Sequence, residues 1–292
     1  MIRIKKNRLI IGTAQLYNSY GITNFLDKKS KKKSFKILET AIDQEIYSFD
    51  TAPGYNSKKI LGEFIAAHDL KKKIIIYNKI PSFIHQYKKK SFILNNIEKS
   101  IKLIGCKINT LLLHDTKNIQ FYCKNFDFFN ELKKIFEIEN LGVSIYDQTH
   151  LKIENKIKDK TIFQVPISIV DQRFENINLD KKQIIARSIF LQGILINDRI
   201  KIKGISKKII KAHKLYHQYL KDIKVDPLKL SLSYINNLKK INKFVIGVET
   251  SVQLKKIVDC KLYDNIDNKT LFHIKSLFKS NLSNPRSWIL KK

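Results

Sequence analysis

The sequence predicts an α/β fold, and specifically a closed (β/α)8 TIM barrel that forms a single domain over residues 1–292. Short apolar runs rich in β-branched residues alternate along the chain with longer stretches whose apolar residues have helical spacing. Because a strand, a helix and a second strand in succession need a right-handed crossover, this alternation requires a parallel sheet. No proline- or glycine-rich linker divides the chain, so one closed barrel fits better than two doubly wound halves.

The predicted elements follow from these runs in chain order. The predicted strands are residues 9–12, 46–50, 73–79, 110–114, 141–144, 162–166, 188–190 and 244–247. The predicted helices are residues 34–43, 58–68, 92–103, 126–136, 149–155, 181–186, 206–221, 226–238 and 252–258. An open doubly wound sheet is the alternative, but the first turn, Gly12-Thr13-Ala14-Gln15, lacks the G-x-G-x-x-G glycines that let a backbone approach a pyrophosphate.

The charge of the chain is strongly positive, with 56 Lys and Arg residues against 26 Asp and Glu residues, a formal net charge of +30. Such a charge invites a nucleic-acid interpretation. All but six of the basic residues are lysines, however, and lysine is poorer than arginine at bidentate recognition of phosphate or guanine. The lysine runs also do not interleave with aromatic residues. We therefore expect a lysine-rich surface and no specific nucleic-acid partner.

Cysteine usage and hydropathy indicate the compartment. Cys106, Cys123 and Cys260 are odd in number and widely spaced, so neither a disulfide framework nor a C-x-x-C metal or redox motif is available. No secretory signal and no apolar run long enough to span a bilayer is visible. We expect a cytoplasmic protein without a membrane partner.

Four polar residues stand at or just after neighbouring predicted strands: Asp50 and Tyr55, Lys79, and His114. In a barrel of this type the active site forms at the carboxyl ends of the strands. Taken singly, the aspartate suits a turn or helix cap, the tyrosine suits packing, and the histidine suits a satisfied core position. Together they suit proton donation, because an ammonium lowers the pKa of a nearby phenol toward neutral pH. Lys79 would supply the ammonium, Asp50 would hold it, and His114 would direct a carbonyl oxygen toward Tyr55.

The stretch FDTAPGYNSKKILG, residues 49–62, resembles the F-D-T-A-x-x-Y-G-x-S-E-x-x-L-G signature of aldo-keto reductases. Further landmarks of that family follow in the same order, namely Lys79-Ile80-Pro81, Leu111-Leu112-Leu113-His114, Gly142-Val143-Ser144, Phe163-Gln164-Val165-Pro166 and the segment 247–254. They extend over about residues 12–254. The ordered set carries the resemblance, since each landmark alone is weak.

The resemblance implies an NAD(P)(H)-dependent carbonyl reductase or alcohol dehydrogenase without a metal. It implies that Tyr55 is the general acid and base, that Lys79 and Asp50 tune it, and that His114 orients the substrate. The positions that match the family's cofactor contacts are Asp50, Gly12 and Thr13 near the nicotinamide ribose, Ser144 and Gln164 at the carboxamide, Ser188, Phe190 and Gly193 along the pyrophosphate, and Gly247, Ser251 and Gln253 toward the adenosine.

Three positions depart from the family pattern. Ile145 stands where many members carry an asparagine for the carboxamide, and Arg187 stands where many carry the tyrosine that stacks on nicotinamide. A guanidinium plane can also stack, and it would add a charge suited to an acidic substrate. Glu249 stands where NADP-preferring members often carry a basic residue. A carboxylate would repel the 2′-phosphate and accept from a ribose hydroxyl, which favours NADH over NADPH unless Glu249 is exposed and silent.

The end of the chain, about residues 270–292, is expected to pack near the barrel mouth, where Trp288 would either roof the substrate pocket or anchor the tail. The segment 187–193 and the Pro-Arg-x-Trp tail resemble bacterial reductases that act on sugars or sugar-derived carbonyls. The expected partner is thus a small carbonyl substrate, and the protein is expected to be a monomer or homodimer. The alternative function is a nucleotide-binding regulatory subunit that does not turn over substrate.

Overall fold

A computed structural model describes residues 2–17, 30–151, 161–175, 183–200, 205–278, 282 and 288. Within these residues, eight parallel strands pair in chain order and the last pairs with the first, which closes the barrel. The strands are β1 (Leu9–Gly12), β2 (Ser48–Asp50), β3 (Ile75–Ile80), β4 (Thr110–Leu113), β5 (Asn140–Ser144), β6 (Ile162–Pro166), β7 (Ile184–Arg187) and β8 (Lys243–Gly247). The predicted (β/α)8 TIM barrel in a single domain is confirmed.

Helices follow the strands as the barrel requires. They are α1 (Lys31–Asp43), α2 (Ser57–Ala67), α3 (Lys89–Ile104), α4 (Ile119–Lys124), α5 (Phe126–Ile135), α6 (Lys207–Asp222), α7 (Pro227–Asn237), α8 (Ser251–Val258) and α9 (Asn268–Leu277). Local chemistry sets several of their starts: Asp226 caps α7 by accepting from the Lys229 amide at 2.7 Å, and Pro227 occupies its first position. No helix in the described ranges is long and apolar enough to cross a bilayer.

Two apolar layers lie on opposite faces of the sheet. The lumen is filled by a small cluster formed by Ile10, Tyr77, Leu112, Ile162 and Ile185. A much larger core lies between the strands and the surrounding helices. The lumen is tight at β5, where an added Cβ at position 142 would meet the Ile162 carbonyl oxygen and would lie 2.6 Å from Leu112 Cδ2. Position 142 therefore requires glycine.

The seventh strand is the element that the sequence-based assignment placed wrongly. A helix was expected over residues 181–186 and a strand over 188–190, whereas the strand is β7, Ile184–Arg187. A short apolar run such as Ile184-Ile185-Ala186 is buried on both faces, and periodicity cannot distinguish it from a buried helix segment. Ser188 has a φ of 60°, which excludes it from a strand.

The other expected elements shift by a few residues at their ends, and α4 and α9 had not been predicted. The helix expected over 149–155 falls largely on residues 152–160, which lie outside the described ranges, as do residues 181 and 182.

Only two residues of the tail beyond residue 278 are described, Leu282 and Trp288. The Trp288 indole donates to the Leu282 carbonyl oxygen at 2.7 Å, and the Trp288 carbonyl accepts from the Ser206 amide at 2.9 Å. The indole is buried in the large core. These contacts favour an anchor over a roof for this tryptophan, while the position of the remaining tail stays a prediction.

Candidate active site

The polar residues at the barrel mouth form a layer directly above the apolar lumen cluster. Side chains of a strand alternate between its faces, so the residue two positions after a lumen residue also points into the lumen, one layer higher. Residues with this spacing, each lining one cavity, are Gly12 after Ile10, Lys79 after Tyr77, His114 after Leu112, Ser144 after Gly142, Gln164 after Ile162, Arg187 after Ile185 and Gly247 after Val245. The strand register places Gly12 beside both Asp50 and Gly247.

A buried ion pair lies at the centre of this layer. The Lys79 ammonium donates to both oxygens of the Asp50 carboxylate, at 2.5 and 2.6 Å, and both side chains are about one-twentieth exposed. Burial lowers the pKa of Lys79, the adjacent Asp50 carboxylate opposes that lowering, and the charge of Arg187 adds to it. Asp50 is thus the group that keeps a positive charge on Lys79 tolerable inside the barrel.

A chain of hydrogen bonds continues from this ion pair across the barrel. The Gln164 amide donates to Asp50 Oδ2 at 2.8 Å, and its Oε1 accepts from the Ser144 hydroxyl at 3.4 Å. Arg187 Nε in turn donates to the Ser144 Oγ at 3.3 Å. Gln164 and Ser144 are buried, so these partners fix the orientation of their polar groups. The chain joins Lys79 on β3 to Arg187 on β7 through strands that are distant in sequence.

Arg187 is held against an aromatic ring that the sequence analysis did not single out. Its guanidinium carbon lies 3.9 Å from the centre of the Tyr146 ring, and Nη2 donates to the Ile145 carbonyl oxygen at 3.0 Å. Ile145 itself is buried and contributes its backbone, not its side chain. Tyr146 lines the cavity at the position after it. The sequence signal for the pair of Arg187 and Tyr146 was an aromatic residue, Tyr146, placed just after the strand that ends at Ser144 and the apolar Ile145.

Most of the predicted site residues line one cavity of about 170 Å³ at the mouth of the barrel. The predicted residues among its walls are Gly12, Asp50, Tyr55, Lys79, His114, Ser144, Gln164, Arg187, Ser188, Phe190, Gly193, Gly247, Glu249 and Gln253. Thr13 and Ser251 lie outside that lining. Thr13 is buried beneath it and donates to the Asp50 carbonyl oxygen at 3.0 Å while accepting from the Ser57 hydroxyl at 3.0 Å. Among the described residues, no group of three or more His, Cys, Asp or Glu could hold a metal ion.

The wall formed by the loop after β7 is conformationally strained. Ser188, Leu191 and Gln192 have φ values of 60°, 47° and 55°, in the left-handed region that residues with a Cβ rarely adopt. Gly193 follows with a φ of 92°. All four line the cavity. Strain concentrated at a cavity wall is typical of binding sites, where the surrounding structure enforces the backbone shape.

Gln15 and Lys58 are two further residues near the site that the sequence analysis passed over. The Gln15 side chain lines the cavity and occupies the space above Gly247, where a Cβ would collide with its Oε1. Lys58 is half-buried on α2 and donates to the Ser100 hydroxyl at 2.8 Å. Burial, followed by the charges of Lys79 and Lys99, lowers the pKa of Lys58 to about 8. A lysine among 50 gave no signal for this environment.

Comparisons with known proteins cover nearly the whole barrel. The sequence profile described as the Aldo/keto reductase family matches residues 8–277. An aldo-keto reductase from Bacillus halodurans, in its holo form, is similar in structure with a TM-score of 0.72 at 18% identity, over 96% of this chain and 95% of that one. A glycerol dehydrogenase from Gluconobacter oxydans gives 0.67 at 15% identity, over 95% and 93%. At these identities the structural likeness shows the fold alone. No curated protein sequence matches the chain.

Proposed function

Since the chain belongs to the aldo/keto reductase family, we propose that it reduces an aldehyde or ketone to an alcohol with NADH, using Tyr55 as the general acid. Membership in this family makes the chain an oxidoreductase that uses a nicotinamide cofactor, NAD(P)H. The identity of the acid, the roles of the residues around it, the preference for NADH and the substrate class are the parts that we add.

The observation that carries the proposal is the buried Lys79–Asp50 ion pair beneath the cavity that Tyr55 and His114 also line. A buried pair adds little net stability to a fold, because desolvation offsets much of the Coulombic attraction. Its location in the layer above the apolar lumen gives it a chemical use. It maintains a positive charge at the floor of a cavity, where that charge stabilises negative charge on a neighbouring oxygen.

A nicotinamide cofactor held by this cavity would supply the hydride for the carbonyl carbon. Tyr55 donates its phenolic proton to the carbonyl oxygen, so that the product leaves as a neutral alcohol. The Lys79 ammonium favours the phenolate form of Tyr55 and so makes the phenol a stronger acid, and Asp50 keeps Lys79 protonated. His114 orients the carbonyl oxygen toward the Tyr55 hydroxyl. In the oxidative direction, Tyr55 accepts the proton instead.

The cavity has the polar groups that a dinucleotide requires. The Ser144 hydroxyl and the Gln164 amide suit a carboxamide, and residues 188–193 of the strained loop after β7 form part of one wall. Glu249 and Gln253 form the far end, where the Glu249 amide donates to Gln253 Oε1 at 2.7 Å. We infer that the Glu249 carboxylate accepts from a ribose hydroxyl there and disfavours the 2′-phosphate of NADPH.

The substrate that we propose is a small carbonyl compound, with sugars and sugar-derived carbonyls as the first class to test. The reason is the resemblance of the segment 187–193 to reductases of such compounds. The Arg187 guanidinium beside the Tyr146 ring adds a positive charge to the wall, so carbonyl compounds that carry a carboxylate belong in the same panel.

The experiment compares wild type and Tyr55→Phe by NADH fluorescence titration and by NADH oxidation over a panel of aldehydes, sugars and keto acids. We expect turnover by wild type, and in the variant a loss of at least about 100-fold in kcat with unchanged NADH affinity. A variant that kept more than about a tenth of kcat would exclude Tyr55 as the acid. A wild-type protein that bound NADH but oxidised it with no carbonyl compound would instead favour the regulatory-subunit alternative.

A further inference from the structure

The loop after β7 that walls the cavity needs support from outside, because its backbone is strained. Leu191 and Gln192 adopt left-handed φ values of 47° and 55° without being glycine. Backbone hydrogen bonds between nearby residues of the loop, such as the one from the Leu195 amide to the Phe190 carbonyl oxygen at 3.3 Å, join one part of the loop to another. Such local bonds do not by themselves hold the loop against the barrel.

Helix α6 supplies that support through three side chains on one face. His213 Nε2 lies 2.8 Å from the Asn197 carbonyl oxygen, and His217 Nε2 lies 2.8 Å from the Ile194 carbonyl oxygen. Between them, the Tyr216 hydroxyl donates to the Leu195 carbonyl oxygen at 3.2 Å. Positions 213, 216 and 217 are three and four residues apart, which places them on one stripe of the helix.

The partners of the two imidazoles determine their tautomer. A carbonyl oxygen only accepts hydrogen bonds, so Nε2 of His213 and Nε2 of His217 must each carry the hydrogen. Helix α6 therefore donates three hydrogen bonds to three backbone carbonyl oxygens of the segment 194–197. Asn197 and Ile196 in this segment, and Gly193 before it, line the cavity.

We propose that His213, Tyr216 and His217, which we call the α6 clamp, are positioning residues that hold the strained loop 188–197 in the shape that binds the phosphates of the nicotinamide dinucleotide. This inference rests on the proposed function, because it assigns the loop to the cofactor. None of the three residues lines the cavity, so they act through the loop and not by contact with the ligand. The clamp lowers the cost of ordering the loop when the cofactor binds.

The clamp is also sensitive to acid. The imidazole rings of His213 and His217 lie 4.5 Å apart between centroids, so protonating both places two like charges side by side. Burial lowers the pKa of each histidine, and each backbone carbonyl opposes that lowering. The charge of Asp198 on the same loop also opposes the lowering, Asp226 before α7 acts on Tyr216, and His273 of α9 stacks on Tyr219. Since the pKa of each histidine is lowered, we expect cofactor affinity to fall only in acid, at a pH below the ordinary histidine pKa of about 6.5.

Two double variants separate the hydrogen bonds from the charge. His213→Phe with His217→Phe keeps an aromatic ring at both positions and removes both donors. His213→Gln with His217→Gln keeps an amide donor near the position of Nε2 and removes the titration. His273→Phe is the matched control, because this exposed histidine of α9 stacks on Tyr219 of α6 and does not line the cavity.

The readouts are the Kd for NADH at about pH 7.5 and about pH 5.5, and amide hydrogen exchange of residues 191–197 without cofactor. We expect the phenylalanine pair to bind NADH about tenfold more weakly at the higher pH, with faster loop exchange, a raised KM for cofactor and an unchanged kcat at saturation. The glutamine pair should retain the wild-type Kd and lose its weakening in acid. The control should match wild type throughout.

Wild-type affinity and wild-type loop exchange in the phenylalanine pair would overturn the clamp, as would acid weakening that persists in the glutamine pair. The exchange measurement needs no cofactor. A wild-type protein that failed to bind NADH would therefore count against the proposed function, whereas unchanged exchange in the phenylalanine pair counts against the clamp alone.

Discussion

Replacing Asp50 with asparagine should leave the Lys79 ammonium buried without its counter-charge. In the wild type, that ammonium donates to Asp50 at 2.5 and 2.6 Å in an environment that is about one-twentieth exposed. An asparagine of the same shape presents one carbonyl oxygen and one donor to the ammonium, and it carries no charge. The Gln164 amide can still bond the remaining oxygen, so the change removes charge with little loss of packing.

The expected magnitude follows from that geometry. Breaking a buried ion pair by removing one partner costs about 3–5 kcal/mol, because the other charge stays uncompensated. Lys79 can reduce this cost by losing its proton, and its pKa is already lowered by burial. The unfolded chain then binds a proton that the native variant lacks, so the stability of Asp50→Asn relative to wild type should rise with pH from about 7 to about 10. Lys79→Met in the Asp50→Asn background removes both charges and should restore most of the lost stability.

The assay pairs urea unfolding at several pH values with kcat/KM on an identified carbonyl substrate. We expect both the single and the double variant to lose at least about 100-fold in kcat/KM, because the proposed mechanism needs a protonated Lys79, which the double variant lacks and which Asp50→Asn no longer stabilises. Two results would refute the reasoning. One is a single variant less than about 1 kcal/mol below wild type in its free energy of unfolding. The other is a double variant that is no more stable than Asp50→Asn, which would mean that the unpaired charge of Lys79 does not cause the loss.

Three further outcomes test other parts of the structure. Glu249→Arg should raise the affinity for NADPH relative to NADH by about tenfold in fluorescence titrations, since it replaces a repelling charge with an attracting one; an unchanged ratio would place the 2′-position elsewhere. Gly142→Ala should lower the free energy of unfolding by about 3 kcal/mol in urea, because its Cβ meets the Ile162 carbonyl oxygen; a stable variant would mean that β5 can shift. Lys58, with a pKa of about 8, should be acetylated by a limiting amount of amine-reactive reagent at about pH 8 before the exposed Lys59 beside it; mass spectrometry of the tryptic peptides would show the reverse order if burial shields Lys58.

The ordering of elements was accessible from the sequence because local patterns encode it. Seven of the eight strands lie where the apolar runs predicted them, within a few residues at each end. The seventh was misplaced because Ile184-Ile185-Ala186 is apolar on both faces and has no period. This misplacement affects the site, because the observed strand ends at Arg187 and so directs the Arg187 side chain into the lumen. The sequence suggested a role for Arg187 only through resemblance.

The candidate catalytic residues were accessible for a similar reason. Asp50, Lys79 and His114 are each the last residue of a predicted strand, and strand ends of a parallel barrel share one rim. That rule needs no knowledge of which residues touch. It therefore indicates the cavity, but not the partner of each side chain within it.

Local patterns along the chain predict the order of its strands and helices, the barrel that they close, and the set of polar residues at one rim. These depend on short-range periodicity and on the carboxyl-end rule, and both can be read along the chain. The contacts between these residues depend on the three-dimensional fold: Gln164 bonds Asp50 across 114 residues of sequence, and α6 binds a strained loop through His213 and His217. The physical reason is that strand register and helix packing set these distances, and no local pattern records which side chains they bring within 3 Å.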